Sequence, residues 1–153
     1  MDKFDVAILN SMQYDDTLSV GQVAEKIGLS KTACWRRIQK LVADNVISDR
    51  VAILNPASVN LPLTVFISIR TNQHNDEWTN EFRRVIAQIP QILEVYQMTG
   101  DLDYLLKAVV KDMPGYEALY KNLIKADIFD VNSSFVMDEL KRQTQLPLDN
   151  INI

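Results

Sequence analysis

Much of the chemistry this sequence could perform is gathered in one short segment, which holds Lys31, Thr32, Trp35, Arg36, Arg37, Gln39 and Lys40. At about 100° per residue on a helix, Thr32, Arg36, Gln39 and Lys40 cluster opposite the apolar Cys34, Ile38 and Leu41. Lys31 and Trp35 fall on one flank and Arg37 on the other. Arginine and glutamine can pair bidentately with guanine and adenine edges in a major groove, while lysine and threonine can hold phosphate. Residues 31–50 carry Lys31, Arg36, Arg37, Lys40 and Arg50 against only Asp44 and Asp49, so positive charge is concentrated where phosphates would be met. The same face also fits a solvated helix surface. Trp35 either stacks on sugar and base edges or fills the helix flank.

A second group is Gly100-Asp101-Leu102-Asp103-Tyr104, a turn between two apolar runs. Backbone N–H groups at a glycine turn can receive an α-carboxylate, and Asp101 or Asp103 can pair with an α-ammonium, so a free amino acid would find both its charges answered. Ser133 and Ser134, on a later run, are further hydrogen-bonding candidates. An ordinary hairpin explains the turn equally simply. Cys34 lies on an apolar stripe, where a thiol behaves as a small hydrophobe. His74 sits among Asn72, Gln73 and Asn75 as a loop residue. One cysteine and one histidine make neither an internal disulfide nor a zinc set, and no Ser-His-Asp group or Gly-rich phosphate loop is present, so neither a cofactor, a metal nor a catalytic residue is expected.

These groups must be positioned by elements that the apolar periodicity marks out. Phe4, Ile8, Leu9 and Met12 predict a helix over 3–12 that Asp2 can cap. Ser19, with Gln22 as its capping-box partner, opens a short second helix with Val20, Val23, Ala24 and Ile27 inside, and Gly28 ends it. Ser30 caps a third, whose apolar stripe is Cys34, Ile38, Leu41 and Val42. Helix, glycine turn, helix is a helix-turn-helix. Residues 49–54 read as an extended linker strand that Asn55-Pro56 closes.

From Pro62 the period changes to two. Leu63, Val65, Ile67 and Ile69 alternate with Thr64, Phe66, Ser68 and Arg70; Trp78, Phe82, Val85, Ile86 and Ile89 form a helix closed by Pro90; runs at 92–99 and 104–110 are strands; Pro114 opens another helix; and 131–137 is a fourth strand. This βαββαβ order predicts a ferredoxin-like α+β unit. Two helices cover one face of such a sheet. The other face would carry Phe66 and either Tyr96 or Phe135, depending on register, and a second copy of the chain is the expected cover.

At 153 residues and 47% apolar composition the chain suits two small domains, expected at 1–60 and 61–153. The net charge of −4 hides an asymmetry, since residues 1–60 hold seven basic and seven acidic groups and the remainder nine and thirteen. No run of eighteen apolar residues exists and Met1-Asp2-Lys3-Phe4-Asp5 lacks a leader's apolar stretch, so no membrane partner and a cytoplasmic location are expected.

Residues 18–56, from Leu18-Ser19-Val20-Gly21-Gln22 through Cys34-x-Arg36-Arg37-Ile38-x-x-Leu41 to Leu54-Asn55-Pro56, resemble the DNA-binding part of the Lrp/AsnC (feast/famine) transcription regulators. Residues 62–140, with the Gly100-Asp101-Leu102-Asp103-Tyr104-Leu105-Leu106 motif, resemble that family's amino-acid-sensing domain. Ala33 departs from the proline common at that place. Gln73-His74-x-x-Glu77-Trp78, Ser133-Ser134-Phe135-x-Met137 and Leu146-Pro147 resemble the DecR-like, cysteine-responsive branch. The resemblance implies a winged-helix-like DNA-binding domain on a ferredoxin-like sensing domain, and homodimers assembling to tetramers or octamers. It also implies double-stranded DNA as partner and a free amino acid as effector, with cysteine, methionine and leucine as candidates. An alternative of another class is an enzyme resembling the siroheme decarboxylases, which share the layout, but one histidine offers little to a large anionic tetrapyrrole.

Overall fold

The computed structural model describes residues 1–151; residues 152–153, the end of the expected second domain, lie outside the described residues. The chain forms two units, one of Met1–Ala52 joined by the tail from Lys141 onward, the other Ile53–Leu140. The expected division at residue 60 therefore shifts in two places. The linker from Ile53 goes with the second unit, and the tail goes with the first, where Leu148 packs against its core.

In the first unit, helix α1 (Lys3–Tyr14) starts at Asp2, whose side chain accepts from the backbone N–H of Phe4 and Asp5 while Asp5 reciprocates to the N–H of Asp2. Helix α2 (Val20–Ile27) carries the Ser19–Gln22 capping box. It stops at Gly28, where φ of 71° lies in the left-handed region that favours glycine. Helix α3 (Lys31–Ala43) begins at Ser30, whose Oγ accepts from Ala33 N–H at 3.2 Å. Ile8, Leu9, Val23, Ala24, Cys34, Ile38 and Leu41 form the core, and burial raises the Cys34 thiol above its ordinary pKa. Val42, expected on the apolar stripe, is exposed instead, because it lies one position past Leu41 and turns away from α1 and α2. The expected linker strand at 49–54 does not form within the chain, since a strand needs a backbone neighbour and this segment has none among the described residues. A 3₁₀ turn, Ala57–Val59, follows it.

The second unit is a four-stranded antiparallel sheet of β1 (Leu63–Arg70), β2 (Ile92–Gln97), β3 (Tyr104–Val110) and β4 (Asp130–Phe135), in the order β2-β3-β1-β4. Helices α4 (Asp76–Ala87) and α5 (Met113–Leu123) cover one face. Asn75 caps α4 and Asp112 caps α5, with Pro114 in its first turn. Val65, Ile67, Ile69, Leu106, Ala108, Phe82, Leu119 and Leu123 fill the layer between sheet and helices. The βαββαβ order is the expected one. Among the described residues no helix is long and apolar enough to cross a membrane.

Candidate nucleic-acid interface and effector turn

Helix α3 presents Lys31, Thr32, Trp35, Arg36, Gln39 and Lys40 to solvent, and Trp35 is 54% exposed rather than filling the helix flank. Among the described residues the ion pairs of this helix involve only Arg37 and Lys40. Lys40 reaches Asp44 one turn on, at 2.6 Å, on an open surface where such a pair exchanges readily with a phosphate. Its ammonium is pushed to higher pKa by that hydrogen bond.

Arg37 is different. Its Nη1 lies 2.7 Å from Asp5 Oδ1, its Nη2 lies 2.9 Å from Asp2 Oδ2, and its guanidinium stands 5.5 Å from the centre of the Phe4 ring. The hydrogen bonds to Asp5 and Asp2 raise the pKa of Arg37, and the Asp5 N–H foremost, with Arg37, lowers that of Asp2. A planar fork held by two carboxylates and an aromatic face clamps α3 to the start of α1. The guanidinium is thus occupied by the protein, and the outward face left open holds Thr32, Arg36 and Gln39 with Lys31, Lys40 and Trp35 around them.

At the other candidate site the turn between β2 and β3 is built around Asp103. Its carbonyl accepts from Met98 N–H at 2.8 Å, its own N–H donates to Ile69 O at 3.0 Å, and its carboxylate accepts from Thr71 N–H at 2.7 Å. Gly100 has φ of 101°, which only glycine tolerates. Asp103 is therefore a structural acceptor for the buried Thr71, whereas Asp101 is exposed.

The remaining expected residues divide between the two sheet faces. Tyr104 packs on the helix side, its ring centroid 4.9 Å from Phe82 and 5.9 Å from Trp78. Ser133 is also on that side and accepts from Tyr116 O–H at 2.6 Å. Ser134 faces the opposite way, beside Phe66. Successive residues of a strand point to opposite faces, so Ser133 and Ser134 do not converge on one ligand within a single chain.

Sequence reasoning missed the loop that braces the turn. Gln73 Nε2 donates to Asp127 Oδ2 at 2.7 Å and the Trp78 indole N–H donates to Asp127 O at 3.1 Å, with Asp127 itself at φ of 50°. These partners lie about fifty residues apart in sequence, and no local spacing announces them.

The open face of the sheet carries Phe66, Leu105 and Tyr96 around a polar pair, Lys107 Nζ and Glu94 Oε1 at 3.0 Å, with the Tyr96 hydroxyl also on Glu94. Hydrogen bonds from Tyr96 and Lys107 lower the Glu94 pKa, and Glu94 raises that of Tyr96. Register settles the choice left by the sequence: Tyr96 is on this face, and Phe135, opposite Val65, is on the helix side.

Residues 1–48 match a winged helix-turn-helix DNA-binding family model, and residues 64–146 match that of the Lrp/AsnC ligand binding domain. The chain belongs to the Lrp/AsnC family of transcriptional regulators. Among its Lrp/AsnC relatives, the glutamate uptake regulatory protein of Zymomonas mobilis is 43% identical over 97% of this chain and 91% of its own length. The DNA-binding transcriptional activator DecR of Escherichia coli is 38% identical over 97% and 99%. A Neisseria meningitidis transcriptional regulator solved in complex with L-methionine superposes with a TM-score of 0.91, at 31% identity and 97% coverage of both chains. This Lrp/AsnC protein is accordingly a helix-turn-helix transcriptional regulator with a ligand-binding domain of the Lrp/AsnC type. The decarboxylase alternative finds no support, because these relatives are regulators.

Proposed function

We propose that this protein is a cytoplasmic, amino-acid-responsive regulator that binds pseudo-palindromic DNA as a homodimer or a larger assembly of dimers. Arg36 and Gln39 read base edges, Thr32, Lys31 and Lys40 hold phosphate, Trp35 packs on the sugar-phosphate wall, and Arg37 fixes the helix that carries them. The observation that carries the DNA half is the solvent-facing, largely unpaired outer face of α3 beside a clamped flank.

The effector is a free α-amino acid at the Gly100 turn, with turn N–H groups on its carboxylate and Asp101 on its ammonium. The relative solved in complex with L-methionine supports methionine, and cysteine and leucine remain candidates from the family resemblance alone. Tyr104 and Asp103 support the turn from behind, Ser133 is held by Tyr116 on the helix side, and Ser134 belongs to the open face. A second copy covers that face: Phe66, Leu105 and Tyr96 supply apolar contact and the Glu94–Lys107 pair is self-complementary under a two-fold axis. Two-fold pairing places two helix-turn-helix modules on two half-sites.

A thermal-shift screen of the twenty amino acids, repeated with light scattering, tests the effector. A ligand at a hundred times its dissociation constant stabilises by about 2.7 kcal/mol. No stabilisation by any amino acid would return the Gly100 turn to being a hairpin.

A further inference from the structure

The tail after β4 makes a specific attachment to the DNA-binding unit. Gln13, near the end of α1, binds both backbone groups of Leu146: its Nε2 donates to Leu146 O at 3.3 Å, and Leu146 N–H donates to its Oε1 at 2.7 Å. Leu148 packs against the core of that unit, and Ile151 N–H donates to Leu148 O at 3.3 Å. Pro147 between them brings no N–H that would need a partner. One side-chain amide treats the tail as a neighbouring strand would, which sets where along α1 the tail lies.

The same tail continues directly from β4. Phe135 pairs with Val65, and Val136 N–H donates to Thr64 O at 2.9 Å, so β4 ends where β1 begins. The two connections of the sheet to the DNA-binding unit, residues 53–62 before β1 and 136–140 after β4, therefore leave from adjacent strands at one end of the sheet. A single flexible connector leaves its two ends many relative placements; a second one, anchored on α1, removes many of them. The anchor is light. Leu146 is 70% exposed and Leu148 only partly buried, so the attachment is of a strength that ligand binding can offset.

We propose that the tail is a releasable strap that couples amino-acid binding in the sheet unit to the DNA-binding unit. Docked on Gln13, it ties α1 to the end of β4; released, it leaves α1–α3 held by residues 53–62 alone. This rests on the effector reading above. Coupling follows if the amino acid binds the docked and released states with different affinity.

The test uses the full chain with Gln13→Ala and Leu148→Asp. Hydrogen exchange over residues 141–151 should rise at least about tenfold in both variants. L-methionine, L-cysteine, L-leucine and L-glutamate are each tested for binding by calorimetry and for their effect on affinity for a DNA fragment obtained by selection. In the unaltered protein one of them changes DNA affinity. In Leu148→Asp that change should collapse to about onefold, and in Gln13→Ala it should fall part-way, while the amino-acid Kd moves in the same direction in both variants and further in Leu148→Asp, because release of the tail exchanges one affinity for the other. Undiminished response with a released tail, or unchanged exchange at 141–151, overturns the strap. If the unaltered protein binds none of the four, or binds one without altering DNA affinity, the effector reading fails and the strap's regulatory role falls with it. Should Leu148→Asp unfold the first unit, Gln13→Ala, which leaves the apolar core intact, decides.

Discussion

The outer face of α3 and the Gly100 turn are both surface sites, yet they are assembled differently. The face comes from one helix, so residues three and four apart meet without help from the rest of the chain. The turn depends on Ile69, Thr71, Gln73, Asp127 and Trp78, drawn from β1, the loop after it, the start of α4 and the segment before β4. A local site should lose binding without losing stability when its residues change; a tertiary site should lose both.

The largest effect is expected behind the turn. Phe82 is buried and stacks on Trp78 with ring centroids 5.1 Å apart, so Phe82→Ala should cost about 3–5 kcal/mol of stability, read by urea unfolding. A cost under 1 kcal/mol would mean that the helix layer does not support the turn.

On the DNA face, Arg36→Ala should weaken binding by about 1–3 kcal/mol and relax sequence preference, with the melting temperature unchanged. Lys40→Ala should instead weaken all sequences alike and lower the salt slope by about 1. Equal footprints for both variants and the unaltered protein would remove α3 as the readout element.

The two aspartates of the turn separate structure from binding. Asp103→Ala leaves the Thr71 N–H without its acceptor and should cost about 1–3 kcal/mol in stability. Asp101→Ala should change stability by less than about 0.5 kcal/mol and abolish the thermal shift by the effector. Reversed behaviour of the pair would exchange their roles.

The smallest effect concerns pH and the Arg37 clamp. Asp2 titrates below its ordinary value of 3.8 in the folded chain, so the folded state binds fewer protons than the unfolded one. Its contribution is present above that ordinary value and is lost as pH falls through the lowered one. Asp2→Asn keeps a capping side chain but removes the charge, so the helicity of the unaltered protein should exceed that of the variant near neutrality and converge on it as pH falls through the lowered Asp2 value. A difference that persists in acid would assign the clamp to Asp5 alone.

The elements and their caps were readable in the sequence because each is governed by neighbours within four residues. Asp2, Ser19 and Ser30 cap as expected, and Asn75 and Asp112, not singled out as caps in the sequence, do so by the same local chemistry. The sheet order followed from the βαββαβ succession. Site membership was less legible. Arg37 looked like its neighbour Arg36 until the start of α1 was placed beside it. Asp101 and Asp103 looked alike until the Thr71 N–H was found on one of them. Nor did any local spacing mark Gln13 as the partner of Leu146, 133 residues away.

The amino-acid sequence by itself determined the helix-turn-helix, the alternating strands and the outward chemistry of α3, since these depend on periodicity and on caps that act within one turn. The tertiary structure alone decided which charges are free. Whether Arg37, Asp103 or Leu148 faces water depends on partners 32 or more residues away, because burial and hydrogen bonding are settled by which surfaces meet and not by the order in which the chain supplies them.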